Sequence, residues 1–422
     1  SMKQQSAFKR WAAVISLGYM GGLMYTLMYI RYVFYDQMMA TMNINNTQLG
    51  LLTTVSGIVA IIVNIPGGYF SDKWDAKRTI VNSIASMTII TFIYAVFINS
   101  YTIALILWAL MPAVIFAYWP SLIKYINNLG GEDEAGSSFG TYYLFNGIAG
   151  ALGNAVPLLV VTRTGSFRMG IIALGFMTLV AVLLVQLFLD DEKTLAERGV
   201  HLKGDEPIRL KYIWSVLKWP GFWLLAFAIF ADYTIYSNLS YFNPYLIDVL
   251  GIEPSASSAV SILRSYGAMV VAPLGGIMAD KVFKGTGKWF MVNMVITAIV
   301  IAFVFTFNPD SNKLLATIYS LIPSIIVYSM YSIQYSIIRE LHFSPVVVGT
   351  AVGIAGITGN LGNVIWPTLF GNILDTYGNQ GYTYIFMCLI GICAVVFLLG
   401  FGIYRWDKQC KEGKRIFKLY KE

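Results

Sequence analysis

Four ionisable side chains lie inside long apolar segments of this 422-residue chain. Arg31 and Asp36 belong to the stretch MYIRYVFYD, residues 28–36, while Asp232 and Arg264 follow in the second half. A guanidinium group presents a planar fork of donors that fits two oxygens of a carboxylate, phosphate or sulfonate. A carboxyl group in an apolar setting can take up and release a proton. These residue types therefore indicate anion binding, and the two carboxyl groups are candidates for coupling it to a proton.

The composition indicates what must position these four groups. The chain is 57% hydrophobic and 12% charged, with a mean hydropathy of +0.65, whereas soluble domains have about 25% charged residues. Apolar runs of about 20 residues, the length of a membrane-crossing helix, recur throughout. Their length excludes a β-barrel, and lipid requires helices because each backbone amide must be satisfied locally. We predict an all-α protein with twelve transmembrane helices, at 11–35, 48–70, 79–99, 102–125, 140–161, 170–189, 219–246, 256–279, 289–307, 314–338, 348–373 and 383–404.

The distribution of lysine and arginine predicts the topology. With both termini in the cytoplasm, the inner segments hold 24 of the 29 basic residues, and the outer loops hold Arg163, Arg168 and Lys313. We therefore expect a multi-pass protein of the cell membrane, embedded as a monomer in the lipid bilayer. In a soluble protein a basic tail of this kind would indicate nucleic-acid binding. Here it follows a membrane span, so we interpret it as a topology signal and expect no nucleic-acid partner. The predicted organisation is a six-helix bundle (1–189), a cytoplasmic linker (190–218), a second six-helix bundle (219–404) and a basic tail (405–422).

The two predicted bundles repeat each other in sequence. GGYFSDK at 67–73 is echoed by GGIMADK at 275–281, and FGTYYLFNGIAGALGN at 139–154 is echoed by VGTAVGIAGITGNLGN at 348–363. Such a repeat places the functional site near the membrane midplane, where the halves meet. The repeated glycines are expected to allow close helix packing.

The loop after the second predicted span carries a family resemblance. It reads GYFSDKWDAKR over residues 68–78, which is similar to the pattern G-x-L-A-D-R-x-G-R-R of the major facilitator superfamily of secondary transporters. Asp75 stands in the place of the family's second glycine, and Ala76 in the place of an arginine. The resemblance implies two pseudo-symmetric six-helix bundles that work by alternating access, with this loop as a gate. Asp72 is expected to pair with a cation such as Lys124. The gating residues that the resemblance implies are Gly68, Asp72, Lys73, Arg78, Lys124, Gly276, Asp280 and Lys281.

A narrower resemblance concerns the first span. The pattern R-x-x-F that begins at Arg31, together with NNTQLGLL, NPYLIDVLG and GGIMADKVFKGTGK further along, is similar to the organophosphate/phosphate exchangers and their organic-anion relatives. In that branch one arginine on the first span and another on the seventh bind phosphate. Arg31 matches the first, but the seventh-span position, around Ile235, is apolar. Arg264 on the eighth span is the remaining cation, so the resemblance implies anion binding without phosphate-ester specificity.

Both pairs of charges admit a structural and a functional interpretation. Asp232 and Arg264 lie at similar depth on consecutive helices, where they form either a structural ion pair or a proton-controlled switch that frees Arg264 for an anion. Arg31 either extends to the outer surface or pairs with Asp36, or else it lines the cavity beside a polar-aromatic stripe formed by Tyr25, Tyr29, Tyr32 and Asp36. Asp232 and Asp36 are the coupling candidates. The substrate-binding candidates are Arg31, Arg264, Tyr29, Tyr32, Tyr236, Tyr266, Tyr331, Gln334, Asn146 and Asn360.

The function that these patterns favour is secondary transport of a small organic anion, driven by a proton or a counter-anion. A sugar–proton symporter and a drug exporter remain alternatives, although neither explains two arginines within spans. A receptor would be expected to carry a signalling domain. An enzyme is disfavoured because the sequence shows no nucleophile–base pair or nucleotide-binding loop. The three cysteines and two histidines have no metal-ligand spacing, so neither cofactor nor metal is expected.

Overall fold

The computed structural model describes residues 2–129, 135–202 and 208–420. The described chain is helical and free of β-strands, as the sequence predicts. Eleven of its helical segments are long and apolar enough to cross a membrane. The predicted first span is present as two successive helices rather than one.

The chain divides into two compact units. Unit 1 comprises residues 1–44 and 58–206, and unit 2 comprises residues 45–57 and 207–422.

The helices from the N-terminus to the linker are α1 (Met2–Met24), α2 (Arg31–Met42), α3 (Asn46–Lys73), α4 (Ala76–Val96), α5 (Tyr101–Val114), α6 (Tyr118–Asn128), α7 (Ala135–Thr164), α8 (Phe167–Phe188) and α9 (Glu192–Glu197). The remaining helices are α10 (Leu210–Lys218), α11 (Pro220–Asn238), α12 (Phe242–Asp248), α13 (Pro254–Gly267), α14 (Ala272–Ile277), α15 (Thr286–Ala302), α16 (Lys313–Tyr331), α17 (Ile338–Leu341), α18 (Val348–Tyr377) and α19 (Gln380–Lys411).

The first span is interrupted immediately before Arg31. Residues 25–30 form turns between α1 and α2, and side chains bond to backbone groups near this break. The indole Nε1 of Trp108 donates to the carbonyl of Met28 at 3.1 Å, and the hydroxyl of Thr26 donates to the carbonyl of Gly22 at 3.1 Å. Irregular backbone at membrane depth is tolerated when protein groups satisfy it in this way. The break therefore places Arg31 at the start of a new helix.

Similar interruptions occur at equivalent positions of the repeat. The seventh span breaks between α11 and α12, at residues 239–241, as the first breaks between α1 and α2. The fourth breaks at 115–117 and the tenth at 332–337. Interrupted helices are the usual way in which transporters expose backbone and polar groups to a binding site. The predicted spans cover these regions but miss the breaks, because hydropathy is the same on both sides of each one.

Within unit 2, residues 45–57 of α3 pack tightly against α18. A Cβ atom on Gly50 would lie 2.1 Å from the carbonyl oxygen of Pro367, so only glycine fits this crossing. At the helix end, Asp375 accepts bonds from the backbone amides of Asn46 and Thr47 at 3.1 and 2.7 Å. The side chains of the same two residues donate to it at 2.9 and 2.6 Å. A carboxylate in this position stabilises the exposed amides of a helix start.

Candidate functional site

Arg264 on α13 is the best-defined cation at membrane depth in unit 2. Its side chain is buried, and each guanidinium nitrogen has a directed partner. Nε donates to the carbonyl of Ser320 at 3.1 Å, Nη2 donates to the Ser320 hydroxyl at 3.0 Å, and Nη1 donates to the Ser261 hydroxyl at 3.3 Å. All three acceptors are neutral. The site therefore orients the guanidinium fork while leaving its positive charge uncompensated by these partners.

A second layer of polar groups holds the serines in place. Asn243 on α12 donates to the Ser261 hydroxyl at 2.7 Å, and Ser261 itself donates to the carbonyl of Ser257 at 2.9 Å. The Ser257 hydroxyl returns a bond to the carbonyl of Asn243 at 2.8 Å. These side chains are buried, so the network is protected from water and rigid. The ring of Phe242 covers the guanidinium, with its centroid 5.6 Å from Cζ.

The predicted ion pair between Asp232 and Arg264 is wrong. Asp232 is fully buried, and in the described chain neither of its carboxylate oxygens has a hydrogen-bond partner. Its surroundings include Cys393 on α19, whereas the fork of Arg264 is directed at α16. The rotation of each helix about its axis decides which side chains meet, and depth in the membrane does not fix that rotation.

Aromatic side chains from α11 and α16 form a second group in unit 2. Tyr236 and Tyr331 stack with ring centroids 4.2 Å apart and planes 9° apart, and Tyr328 lies 5.7 Å from Tyr236. Tyr233 donates to the amide oxygen of Asn363 at 2.9 Å. The prediction that Tyr236 and Tyr331 share a site is thus consistent with their contact, although no ligand is present to test it.

Three further candidates in unit 2 are less clearly placed. Gln334 lies in the break of the tenth span, where it is buried and its Oε1 has no hydrogen-bond partner among the described residues. Tyr266 and Asn360 are half-buried. Their proposed contribution to substrate binding stays a prediction.

In unit 1, Arg31 is buried at the start of α2. Its Cζ lies 5.1 Å from the ring centroid of Tyr32, which in turn stacks on Tyr29 with centroids 5.4 Å apart. Asp36 is half-buried and forms no ion pair with Arg31 in the part of the chain that the structure describes. Arg31 therefore has an aromatic environment instead of the local carboxylate that one interpretation predicted.

The remaining candidate of unit 1, Asn146, belongs to a tyrosine cluster. Its amide nitrogen lies 3.1 Å from the hydroxyl of Tyr142, to which it donates. Tyr25 of the predicted stripe contacts Tyr118 edge to face, with centroids 6.1 Å apart. The stripe that the sequence predicts is thus split between two contacts, one around Tyr25 and one around Tyr32.

The loop that follows the second span of unit 1 uses different residues from those predicted. Lys124, which is buried, pairs with Glu192 and donates to the carbonyl of Ser71 at 3.2 Å. Asp72 is exposed and forms no ion pair within the described residues, so the expected Asp72–Lys124 pair is wrong. Asp72 has an exposed side chain at the helix end, whereas Lys124 is buried and lies beside the start of α9, which bears Glu192.

Asp75 is the organising carboxylate of this loop. It accepts the amide of Arg78 at 3.0 Å and the amide of Glu192 at 2.7 Å, so it begins α4 and also fixes the linker. The predicted gating residues Gly68 and Lys73 have local partners. The carbonyl of Gly68 accepts a hydrogen bond from the Ser71 hydroxyl at 2.8 Å. The ammonium of Lys73 donates to the Tyr69 hydroxyl. Asp75, which stands where the family pattern has a glycine, is therefore a helix cap.

The corresponding loop of unit 2 is held by two acids. Asp280 pairs with Arg339 at 3.1 Å on the exposed surface, while Glu340 accepts the amides of Thr286 and Gly287 at the start of α15. Burial raises the pKa of Glu340 above the ordinary carboxyl value. A Cβ atom on Gly276 would meet open space. Lys281 is exposed.

Sequence reasoning missed Asp75, Glu192 and Glu340 as structural groups. A signal for Asp75 exists, because an aspartate three residues before the amide it accepts is typical of a helix start. Glu340 lies 54 residues from its donor, the Thr286 amide, in the chain, and such a distance leaves no local pattern.

Comparison with known proteins is consistent with this architecture. A model described as Major Facilitator Superfamily matches residues 17–367 and 222–415. The chain is 26% identical to the inner membrane protein YihN of Escherichia coli strain K12, over 90% of this chain and 91% of that protein. It is 21% identical to a probable sulfoacetate transporter, SauU, of Cupriavidus necator, covering 85% and 86% of the two chains.

The chain is also similar to another named transporter and to solved structures. The chain is 22% identical to a hexuronate transporter of Bacillus subtilis strain 168, over 80% of this chain and 81% of that protein. Among solved structures, the nucleoside transporter NupG aligns with a TM-score of 0.70 at 15% identity, covering 94% of this chain and 99% of that one. At this identity the structural similarity concerns the fold.

Proposed function

Because the chain belongs to the Major Facilitator Superfamily, we propose that it is a secondary transporter of small organic anions. Membership makes it a multi-pass membrane transporter and not an enzyme. The anionic substrate, the coupling ion and the roles of individual residues are our proposal. Two named relatives support the substrate class, since one is a probable transporter of a sulfonate, sulfoacetate, and another transports hexuronate, a sugar carboxylate.

The observation that carries the proposal is the setting of Arg264. A buried guanidinium is costly unless it is paired, yet its three hydrogen bonds go to neutral serine oxygens. A carboxylate or sulfonate of the substrate would supply the missing negative charge and gain charge-assisted bonds. We assign Arg264 as the principal anion-binding residue and Arg31 as a second, in a more aromatic environment.

A thermal-shift screen of the purified protein tests the substrate class. Hexuronates, short sulfonates such as sulfoacetate and phosphate esters are compared with neutral sugars and organic cations. Anions are expected to raise the unfolding temperature of the wild type and to lose this effect in Arg264→Gln. Arg168→Gln, which removes an exposed cation near the start of α8, is the matched control and is expected to keep the response.

Two results would contradict the proposal. One is stabilisation by neutral sugars or cations without any anion response. The other is an anion response of equal size in the wild type and in Arg264→Gln, provided that the variant unfolds cooperatively. Arg264→Lys, which keeps the charge, replaces the glutamine variant if the latter does not purify in folded form.

For coupling, we propose that Asp232 carries the transported proton. A buried carboxylate without hydrogen-bond donors is unfavourable when charged, so its present environment suits the neutral acid. Movement of α11 or α19 that admits water or a donor would let it ionise. Asp36 is the second coupling candidate, since it is half-buried near Arg31.

Substitution of Asp232 by asparagine separates symport from exchange. In proteoliposomes, Asp232→Asn is expected to abolish uphill uptake driven by a proton gradient and to keep counterflow of labelled substrate. Unchanged uphill uptake would exclude Asp232 as the proton carrier. Asp36→Asn, measured in parallel, tests the second candidate.

We also propose an inner-membrane location with both termini in the cytoplasm. The excess of lysine and arginine in alternate loops supports this orientation.

A further inference from the structure

The inner end of α19 holds basic side chains that the transport proposal does not use. Arg405 and Lys408 project from this helix, and Lys284 and Lys288 flank the start of the neighbouring α15; all four are exposed. In the described chain none of the four forms an ion pair with a carboxylate. Lys288 lies over the ring of Tyr404 at 5.1 Å, and Arg405 lies over the ring of Phe401 at 5.9 Å.

The acids in the same region already have partners. Asp407 pairs with His342 at 2.7 Å and with Lys411 at 3.0 Å, and Glu412 pairs with Lys414 at 2.8 Å. Glu340 is occupied by the amides at the start of α15. Glu412 also interacts with Lys408. The basic residues around the cavities still outnumber these three acids, so an anion from outside the chain would balance the excess positive charge.

Two adjoining cavities lie among these residues. One of about 320 Å³ is lined by Lys284, Lys288, Lys408, Lys411 and Tyr404, together with the acids Glu340, Asp407 and Glu412. The second, of about 330 Å³, shares Tyr404 and Lys408 and adds Phe401 and Arg405. The backbone of Lys284 has a φ of +52°, a conformation that normally favours glycine, so the lysine adopts it at a conformational cost.

The position of the cavities identifies the kind of anion. The apolar part of α19 ends where Tyr404 and Arg405 begin its basic segment, which is the level of the lipid headgroups. Phe401, one turn before Arg405, is 44% exposed, so its ring is available for contact with lipid tails. A ligand here meets cations at its head and apolar side chains below. Basic pockets of this type at the inner ends of spans suit anionic phospholipid headgroups.

We propose that the paired cavities lined by Lys284, Lys288, Arg405 and Lys408 bind the phosphate headgroup of an anionic phospholipid. The lipid bridges α15 and α19, and its binding stabilises the inner end of unit 2. Tyr404 and Lys408 line both cavities, and Lys288 lies over the Tyr404 ring. This site lies outside the residues assigned to substrate binding.

Thermal unfolding of the full chain in neutral detergent tests this site. Three additions are compared: phosphatidylglycerol, phosphatidylcholine, and glycerol 3-phosphate as the headgroup without chains. Phosphatidylglycerol is expected to raise the unfolding temperature by several degrees, and this rise is expected to fall by at least half in Lys288→Gln/Lys408→Gln. Lys9→Gln/Lys193→Gln removes the same charge from exposed positions elsewhere and is expected to respond like the wild type. Native mass spectrometry counts the retained lipid.

The outcomes discriminate between the sources of the phosphate. Equal responses to phosphatidylglycerol in both double variants would overturn the site. A glycerol 3-phosphate effect that the Lys288→Gln/Lys408→Gln change removes as fully as the lipid effect would overturn the lipid assignment. Arg405→Gln, a single exposed change, provides the same comparison if the double variant does not fold. It is expected to lower the number of retained lipids while leaving the basal unfolding temperature unchanged.

Discussion

In unit 1 the buried Lys124 is matched by the carboxylate of Glu192, whereas in unit 2 the buried Arg264 is held by serine oxygens. A lysine that is neutralised by an acid of its own unit presents little net charge to a ligand. A guanidinium that is oriented by neutral acceptors keeps its charge for an incoming anion. The contrast teaches that burial of a cation does not by itself identify a binding site; the charge of its partners does.

The largest expected difference concerns two ion pairs, Lys124–Glu192 in unit 1 and Arg339–Asp280 in unit 2. Lys124→Gln leaves Glu192 without its cation and Ser71 without its donor. Because Lys124 is buried and Glu192 is about a third exposed, we expect a loss of about 2 kcal/mol in the free energy of unfolding, below that of a fully buried pair. Arg339→Gln breaks the exposed pair with Asp280 and is expected to cost under about 1 kcal/mol.

Denaturant unfolding of both variants measures this difference. If Arg339→Gln destabilises as much as Lys124→Gln, the distinction between a structural pair in unit 1 and a weak surface pair in unit 2 fails.

The next expected effect concerns the two buried arginines. In Arg264→Lys the ammonium cannot reproduce three directed bonds, so affinity for the transported anion is expected to fall about tenfold. Arg31 lies against the face of Tyr32, where an ammonium is also attracted, so Arg31→Lys is expected to cost about threefold or less. Isothermal titration with an anion from the screen measures both. A larger loss at Arg31 would reverse the assignment of the principal site.

The smallest expected effect is a pH dependence that comes from Glu340. Its pKa is raised by burial, while the unfolded carboxyl titrates near 4.5. As pH rises from that value to the folded-state pKa, the folded protein holds more protons than the unfolded chain, so the free energy of unfolding falls. Glu340→Gln is expected to reduce this fall. Unfolding temperatures across that pH window measure it, and identical profiles of the two proteins would exclude the contribution.

The site was only partly predictable, and the reason differs between residues. Arg31 and Arg264 could be found because a charged residue within an apolar run is recognisable from the sequence alone. Their partners could not, since the serines that hold Arg264 include one 56 residues away. Ser320 on its own is an unremarkable polar residue in an apolar helix. The prediction that Asp232 pairs with Arg264 was wrong for the same reason. The rotation of each helix about its axis is set by packing against residues that are distant in the chain.

The sequence by itself determined the helical membrane fold, the two-fold repeat and the positions of the charges within the spans. The length of the apolar runs dictates helices in lipid. The repeat is recognised because the same residues recur at corresponding positions of the two halves. Tertiary structure alone decided where the spans break, that Lys124 contacts Glu192, and that Arg264 is directed at Ser320. Such features depend on contacts between residues far apart in the chain, whose energies are set by geometry that no local pattern records.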